Sequence, residues 1–191
     1  MINFVAQITE MKYTKNAINV LTARTFKGIG RAWFVKNWEK DLADTAIVMR
    51  INQSLKGVSP ITISDFEQKR NSIVRLLEQN QQCIDGVVAL GDSDFPQHRG
   101  NVKNSEQPIF LFYKGDLSLL SSANYNVAVI GLLTPTEQIE NRERSVVADL
   151  VDRGATIVSG LALGCDTIAH QTTLDRGGKT VAILPSPLNS I

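Results

Sequence analysis

The chain has 191 residues, 43% hydrophobic and 20% charged, with a formal net charge of +1. That profile fits one large or two small globular domains and excludes a disordered or fibrous chain. Two cysteines, Cys83 and Cys165, are too few for a disulfide framework or a metal cluster, and no apolar run approaches the length of a membrane span. The first residues, Met1 to Gln7, lack the basic start and apolar core of a secretory signal, so a cytoplasmic location with reduced thiols is expected. Charge is uneven: residues 1–60 hold nine Lys/Arg against four acids, whereas residues 121–191 hold five against seven. A basic N-terminal segment suits either a polyanion partner or a solvated helical surface.

In chain order, Ala17, Ile18, Val20 and Leu21 recur at a helical period across residues 14–23. Phe26-Lys27-Gly28-Ile29-Gly30-Arg31 then interrupts, and a helix resumes from Ala32 to Trp38. Glycine, hydrophobe, glycine between two helices is the helix-hairpin-helix pattern, in which turn amides meet DNA phosphate without reading bases. Gly28, Gly30 and Arg31 are its candidate contacts; the alternative is an ordinary interhelical turn with a glycine cap. Trp33 and Trp38 read as aromatic core rather than base-stacking groups. Ser64-Asp65-Phe66-Glu67 reads as a capping box opening a helix to about Gln82, with Phe66, Ile73, Val74, Leu76 and Leu77 as its apolar stripe.

Ile84-Asp85-Gly86 closes the helical part, and Val87 to Leu90 reads as a strand entering Gly91-Asp92-Ser93-Asp94-Phe95-Pro96. The expected organisation is a helical domain over residues 1–84 and an α/β domain over 85–191. From Val127 the pattern alternates strand and helix, near 127–131, 137–153, 155–159, 165–176 and 179–184, which predicts parallel strands. A three-stranded sheet of this kind leaves an apolar edge and helix faces uncovered.

Val158-Ser-Gly-Leu-Ala-Leu-Gly-Cys-Asp-Thr-Ile-Ala-His170 joins an apolar strand to a helix through a glycine-rich turn. Exposed amides and a helix N-terminus in that geometry favour an anion. Asp166 is expected to cap the helix, with His170 four residues on along the same face. Cys165 would be reactive if the helix N-terminus lowered its pKa. The glycine spacing matches neither the dinucleotide fingerprint nor a Walker loop, and Gly178-Lys179-Thr180 precedes a strand rather than a helix. The residues alone therefore indicate a phosphate-binding α/β crevice and no named nucleotide. His98 and His170 have no acid or cysteine cluster beside them, so a zinc site is not expected. Ser159 lacks the flanking pattern of a nucleophile elbow.

Four blocks occur in order: Ile109 to Leu117, Asn126 to Gly131, the Val158 to His170 segment, and Gly177 to Leu184. In sequence and spacing they resemble the DNA-processing protein A (DprA, or Smf) family from about Gly91 onward. The resemblance implies an α/β fold, with a SAM/helix-hairpin-helix-like domain followed by a Rossmann-like parallel sheet. It also implies single-stranded DNA binding through backbone phosphates, delivery to a RecA-type recombinase, homodimerisation of the full-length protein, no cofactor and no catalysis. The phosphate-binding positions it implies are Gly131, Thr134, Ser159, Gly160, Leu161, Ala162, Gly164, Asp166, His170 and Lys179; for Lys179, the leading cationic candidate, the alternative is a plain surface lysine. The family's first strand ends in Gly-Ser-Arg, whose arginine meets a phosphate, and here Leu132 and Leu133 follow Gly131. A leucine offers neither charge nor donor. The family domain continues past the position of Ile191, so the chain resembles a truncated relative. The alternative is a nucleotide-binding enzyme of the LOG phosphoribohydrolase type, whose Pro-Gly-Gly-x-Gly-Thr motif does not occur in these residues.

Overall fold

The computed structural model describes residues 12–55, 59–97 and 102–188. His98 and the first residues from Met1 to Gln7, named above, lie outside them. The chain forms two compact units, Met1–Gly115 and Asp116–Ile191.

The first unit is built around α1 (Lys15–Arg24), in which the eight residues from Asn16 to Ala23 are all buried. A helix buried on every side must satisfy its polar groups internally. Thr22 accordingly donates its hydroxyl to the Ile18 carbonyl at 2.7 Å, and Thr14 caps the helix by accepting from the Ala17 amide. Helices α2 (Arg31–Asn37), α3 (Asp44–Ser54) and α4 (Ile63–Gln79) surround it. Phe34, Ile47, Ile51 and Phe66 are wholly enclosed, and Phe26 stacks on Phe66 at 6.1 Å. Arg70 pairs with Asp44 at 2.6 Å, joining α4 to α3.

The α4 start differs from the sequence expectation. Thr62, not Ser64, is the cap, with Asp65 at the third helical position returning a bond to the Thr62 amide at 2.8 Å. Those bonds hold the Asp65 carboxyl below its usual range. Helix α3 carries Ile47, Val48 and Ile51 on its buried side but has no side-chain cap to announce it. Trp33 and Trp38 are half-buried, ring to ring with Phe34, and their indole N–H groups donate to Ser54 Oγ and Asn16 Oδ1.

A small sheet completes this unit. Strand β1 (Lys12–Tyr13) pairs in parallel with β2 (Gly86–Ala89), which pairs antiparallel with β3 (Phe110–Tyr113). Residues 86–89 and 110–113, which the sequence reading puts in the second domain, thus pair within the sheet of the first unit, and the division falls after Gly115. Asp92 fastens this sheet to α1. Its Oδ1 accepts from Thr14 Oγ1 at 2.8 Å and Asn16 Nδ2 at 3.2 Å, and its Oδ2 accepts from the Ala89 amide at 2.9 Å.

The second unit is a parallel sheet in the order β4 (Asn126–Ala128), β5 (Thr156–Ser159), β6 (Lys179–Ala182), with α5 (Glu137–Asp152) and α6 (Cys165–Asp175) between successive strands. Val147 of α5, Ala169 of α6, Ala155 and Ile157 form its core, flanked by Val127, Val129, Leu150 and Val151. Every loop that follows a strand therefore lies at one end of the sheet, where ligands of open α/β sheets bind.

Replacing Asp92 by Ala leaves three donors without their acceptor. We expect a loss of about 2–3 kcal/mol in the first unit, read by chemical denaturation.

Candidate phosphate-binding crevice

Strand β5 ends at Ser159, whose hydroxyl donates to the Val129 carbonyl at 2.7 Å and ties the β4 and β5 exits together. The loop that follows passes through Leu161 in a left-handed conformation (φ 61°) and Gly164 (φ 78°) before α6 begins. A side chain at Gly164 would overlap the Leu132 and Leu133 carbonyl oxygens, so glycine is required there by both conformation and close approach. The Cys165 amide donates to the Leu132 carbonyl at 3.0 Å. The loop after β4 is thus laid directly on the start of α6.

Asp166 does something other than cap the helix. It sits inside the first turn, and the cap position is Gly164, which has no side chain to offer. The buried Asp166 carboxylate reaches back across the loop, and Oδ2 accepts from the Gly160 amide at 3.1 Å and the Ala162 amide at 3.2 Å. Two amides read from sequence as phosphate donors are therefore already held by an internal anion. Among the described residues, the loop amides left without a protein acceptor are those of Leu161, Leu163 and Gly164.

His170 lies further along α6, 6% exposed, against β6. Its Nδ1 is 2.7 Å from Thr180 Oγ1, and that hydroxyl donates to the Ile157 carbonyl at 2.9 Å. With the hydroxyl proton so used, Nδ1–H donates to the threonine. Burial pushes the His170 pKa down, outweighing the opposing pull of the Asp166 charge. Cys165 is likewise not activated by the helix start. The Glu143 carboxylate beside it, and then burial, push its thiol pKa up, and the Gly131 backbone packs directly on its sulfur. The shielding Glu143 sits on another helix, 22 residues away in sequence, and nothing in the local motif announces it.

Gly131, Ser159, Gly160, Leu161, Ala162, Gly164 and Asp166 are brought together at the β4 and β5 exits, and Thr134 follows Leu133 on the same loop. Lys179 is not brought there. It opens β6 opposite Thr156, whereas Ser159 pairs with Ala182 at the crevice end, about 10 Å further along the strand. The rim formed by residues 130–134, 159–164 and Ile183 contains no Lys or Arg. It is aliphatic instead: Ile130 is 84% exposed, Leu163 78% and Leu133 66%, with Leu132, Leu161 and Ile183 also open to solvent.

A family profile described as DNA recombination-mediator protein A matches residues 86–191, a stretch that contains this crevice. The chain belongs to that family. It is 32% identical over 141 residues to the protein Smf of Synechocystis sp., covering 72% of this chain and 35% of the relative. It is 40% identical over 84 residues to the DNA processing protein DprA of Streptococcus pneumoniae, covering 44% of this chain and 29% of that protein. The crystal structure of the pneumococcal DprA superposes with a TM-score of 0.62 at 26% identity, covering 91% of this chain and 58% of that one. The chain thus spans about a third of the length of these curated relatives.

His170 supplies a pH test of the second unit. Its folded pKa lies below the ordinary value of 6.5, so its contribution is fully present above that value and is lost as pH falls through the depressed folded value. Thermal melts from pH 8 to pH 5 should show a falling midpoint, and His170→Gln should flatten that fall.

Proposed function

We propose that this chain binds single-stranded DNA through its sugar-phosphate backbone with little regard for sequence, and that it serves a DNA recombination pathway by passing the strand to a RecA-type recombinase. The observation that carries this reading is the loop from Ser159 to Gly164. In a chain of the recombination-mediator family, it presents the unpartnered Leu161, Leu163 and Gly164 amides at the ligand-binding end of a parallel sheet. Backbone amides at such a turn recognise phosphate oxygens of any sequence. Gly131 and Thr134 form the facing wall. Asp166 and His170 act from beneath, one by fixing the loop and the other by pinning α6 to β6.

Homodimerisation, also implied by the family, is part of the same proposal. The turn containing Gly28 and Gly30, with Arg31 beside it, is a further point of contact in the first unit. Binding is non-catalytic in this reading, which the shielded Cys165 thiol and the enclosed His170 ring support.

Fluorescence anisotropy with labelled oligonucleotides at low salt tests the proposal. We expect tighter binding to single strands than to duplex; equal affinity for both, or none for either, overturns it. Leu133→Arg should restore a cation at the rim, raise affinity and steepen the slope of log affinity against log salt by about 0.7. No gain would remove the turn after Gly131 from the interface.

A further inference from the structure

If the chain binds a nucleic acid, as proposed above, the crevice of the second unit cannot supply the electrostatic part of that binding. Its rim has no cation, and the nearest carboxylate, Asp166, already occupies two of its amides. The first unit offers what the crevice lacks. The turn between α1 and α2 is anchored from below by Phe26 and Ile29, which are 7% and 1% exposed, while Lys27 and Gly28 face solvent. Gly28 takes φ 86°, which turns the chain outward. The amides of Lys27, Gly28 and Gly30 have no protein acceptor among the described residues.

Cations converge on this turn from three helices. Arg24 ends α1, Arg31 begins α2, and Lys69 reaches over from α4. Lys69 is held in place: its Nζ lies 4.7 Å from the centre of the Phe26 ring and 3.5 Å from the Thr25 carbonyl oxygen. None of Arg24, Lys27, Arg31 and Lys69 takes part in an ion pair among the described residues, whereas Arg50 and Arg70 of the same unit do. Free amides ringed by unpaired cations match the repeated charge of a phosphodiester chain.

Gly30 gives a means of testing this. Its backbone is extended (φ −101°, ψ 179°), a conformation open to any residue, and a Cβ there would meet nothing within 4 Å. It is the N-cap of α2, where glycine is common and aspartate caps at least as well, so a negative charge can be placed beside the turn without cost to the fold.

We infer that the turn Lys27–Arg31, together with Arg24 and Lys69, is the seat of phosphodiester binding in this chain and sets its salt dependence. The test measures binding of labelled oligothymidylate by the full chain across a salt series, for the wild type, a Lys27→Gln/Lys69→Gln double variant, Gly30→Asp, and Lys179→Gln as a control. The double variant should lower the slope of log affinity against log salt by about 1.4, at about 0.7 per lost phosphate contact. Gly30→Asp should weaken binding about tenfold while its melting temperature stays level or rises, a combination that damage to the fold cannot produce. Lys179→Gln should change neither. An unchanged slope in the double variant, or a Gly30→Asp variant that binds like wild type, overturns the inference and leaves the proposed function standing. A wild-type chain that binds no oligothymidylate overturns both.

Discussion

The second unit depends on one carboxylate. By accepting from the Gly160 and Ala162 amides, Asp166 closes the β5 to α6 loop around itself, and the loop so shaped presents Gly164 to the Leu132 and Leu133 carbonyls. A buried carboxylate is tolerable only when its oxygens are satisfied, and a strained loop persists only when its surroundings over-determine it. Each condition here meets the other: the loop supplies the donors, and the carboxylate supplies the reason for the left-handed Leu161. The Leu132 carbonyl then takes the Cys165 amide, so the two loops are joined by bonds of the chain itself.

This arrangement separates two roles that a glycine-rich turn can play. An open turn with uncommitted amides is an anion receptor; a turn wrapped around its own anion is a scaffold that leaves only part of its donor set available. Here the available part lies among exposed aliphatic side chains, on a rim without Lys or Arg.

What was legible in the sequence follows from how local each signal is. The β4 to β6 alternation was readable because hydrophobic periodicity and glycine punctuation are written in adjacent residues; element boundaries fall within two residues of expectation except at the end of β4, which stops three residues early. The recombination-mediator family could be named from the Val158 to His170 segment for the same reason. The role of Asp166 was not readable. An acid at a helix start has two satisfactory partners, its own helix's amides or those of the preceding loop, and only the backbone path at Gly164 decides between them. Lys179 was misjudged as a neighbour of the crevice because sequence order does not say at which end of a strand a residue lies. The strand residues 86–89 and 110–113 were assigned forward in the chain, although the short β1 that draws them back has only two residues and carries almost no pattern.

The exposure of Leu133 has a consequence for how freely this crevice can change. The side chain stands 66% open to solvent on a loop whose contacts do not use it, and the core of Val147, Ile157 and Ala169 does not include it. The fold exercises no veto at that position: arginine, leucine or almost anything else can be carried there at little cost to stability. The chemistry of the rim is thus a replaceable facing on a fixed frame, and relatives sharing this frame can diverge in what they grip without first having to relearn how to fold.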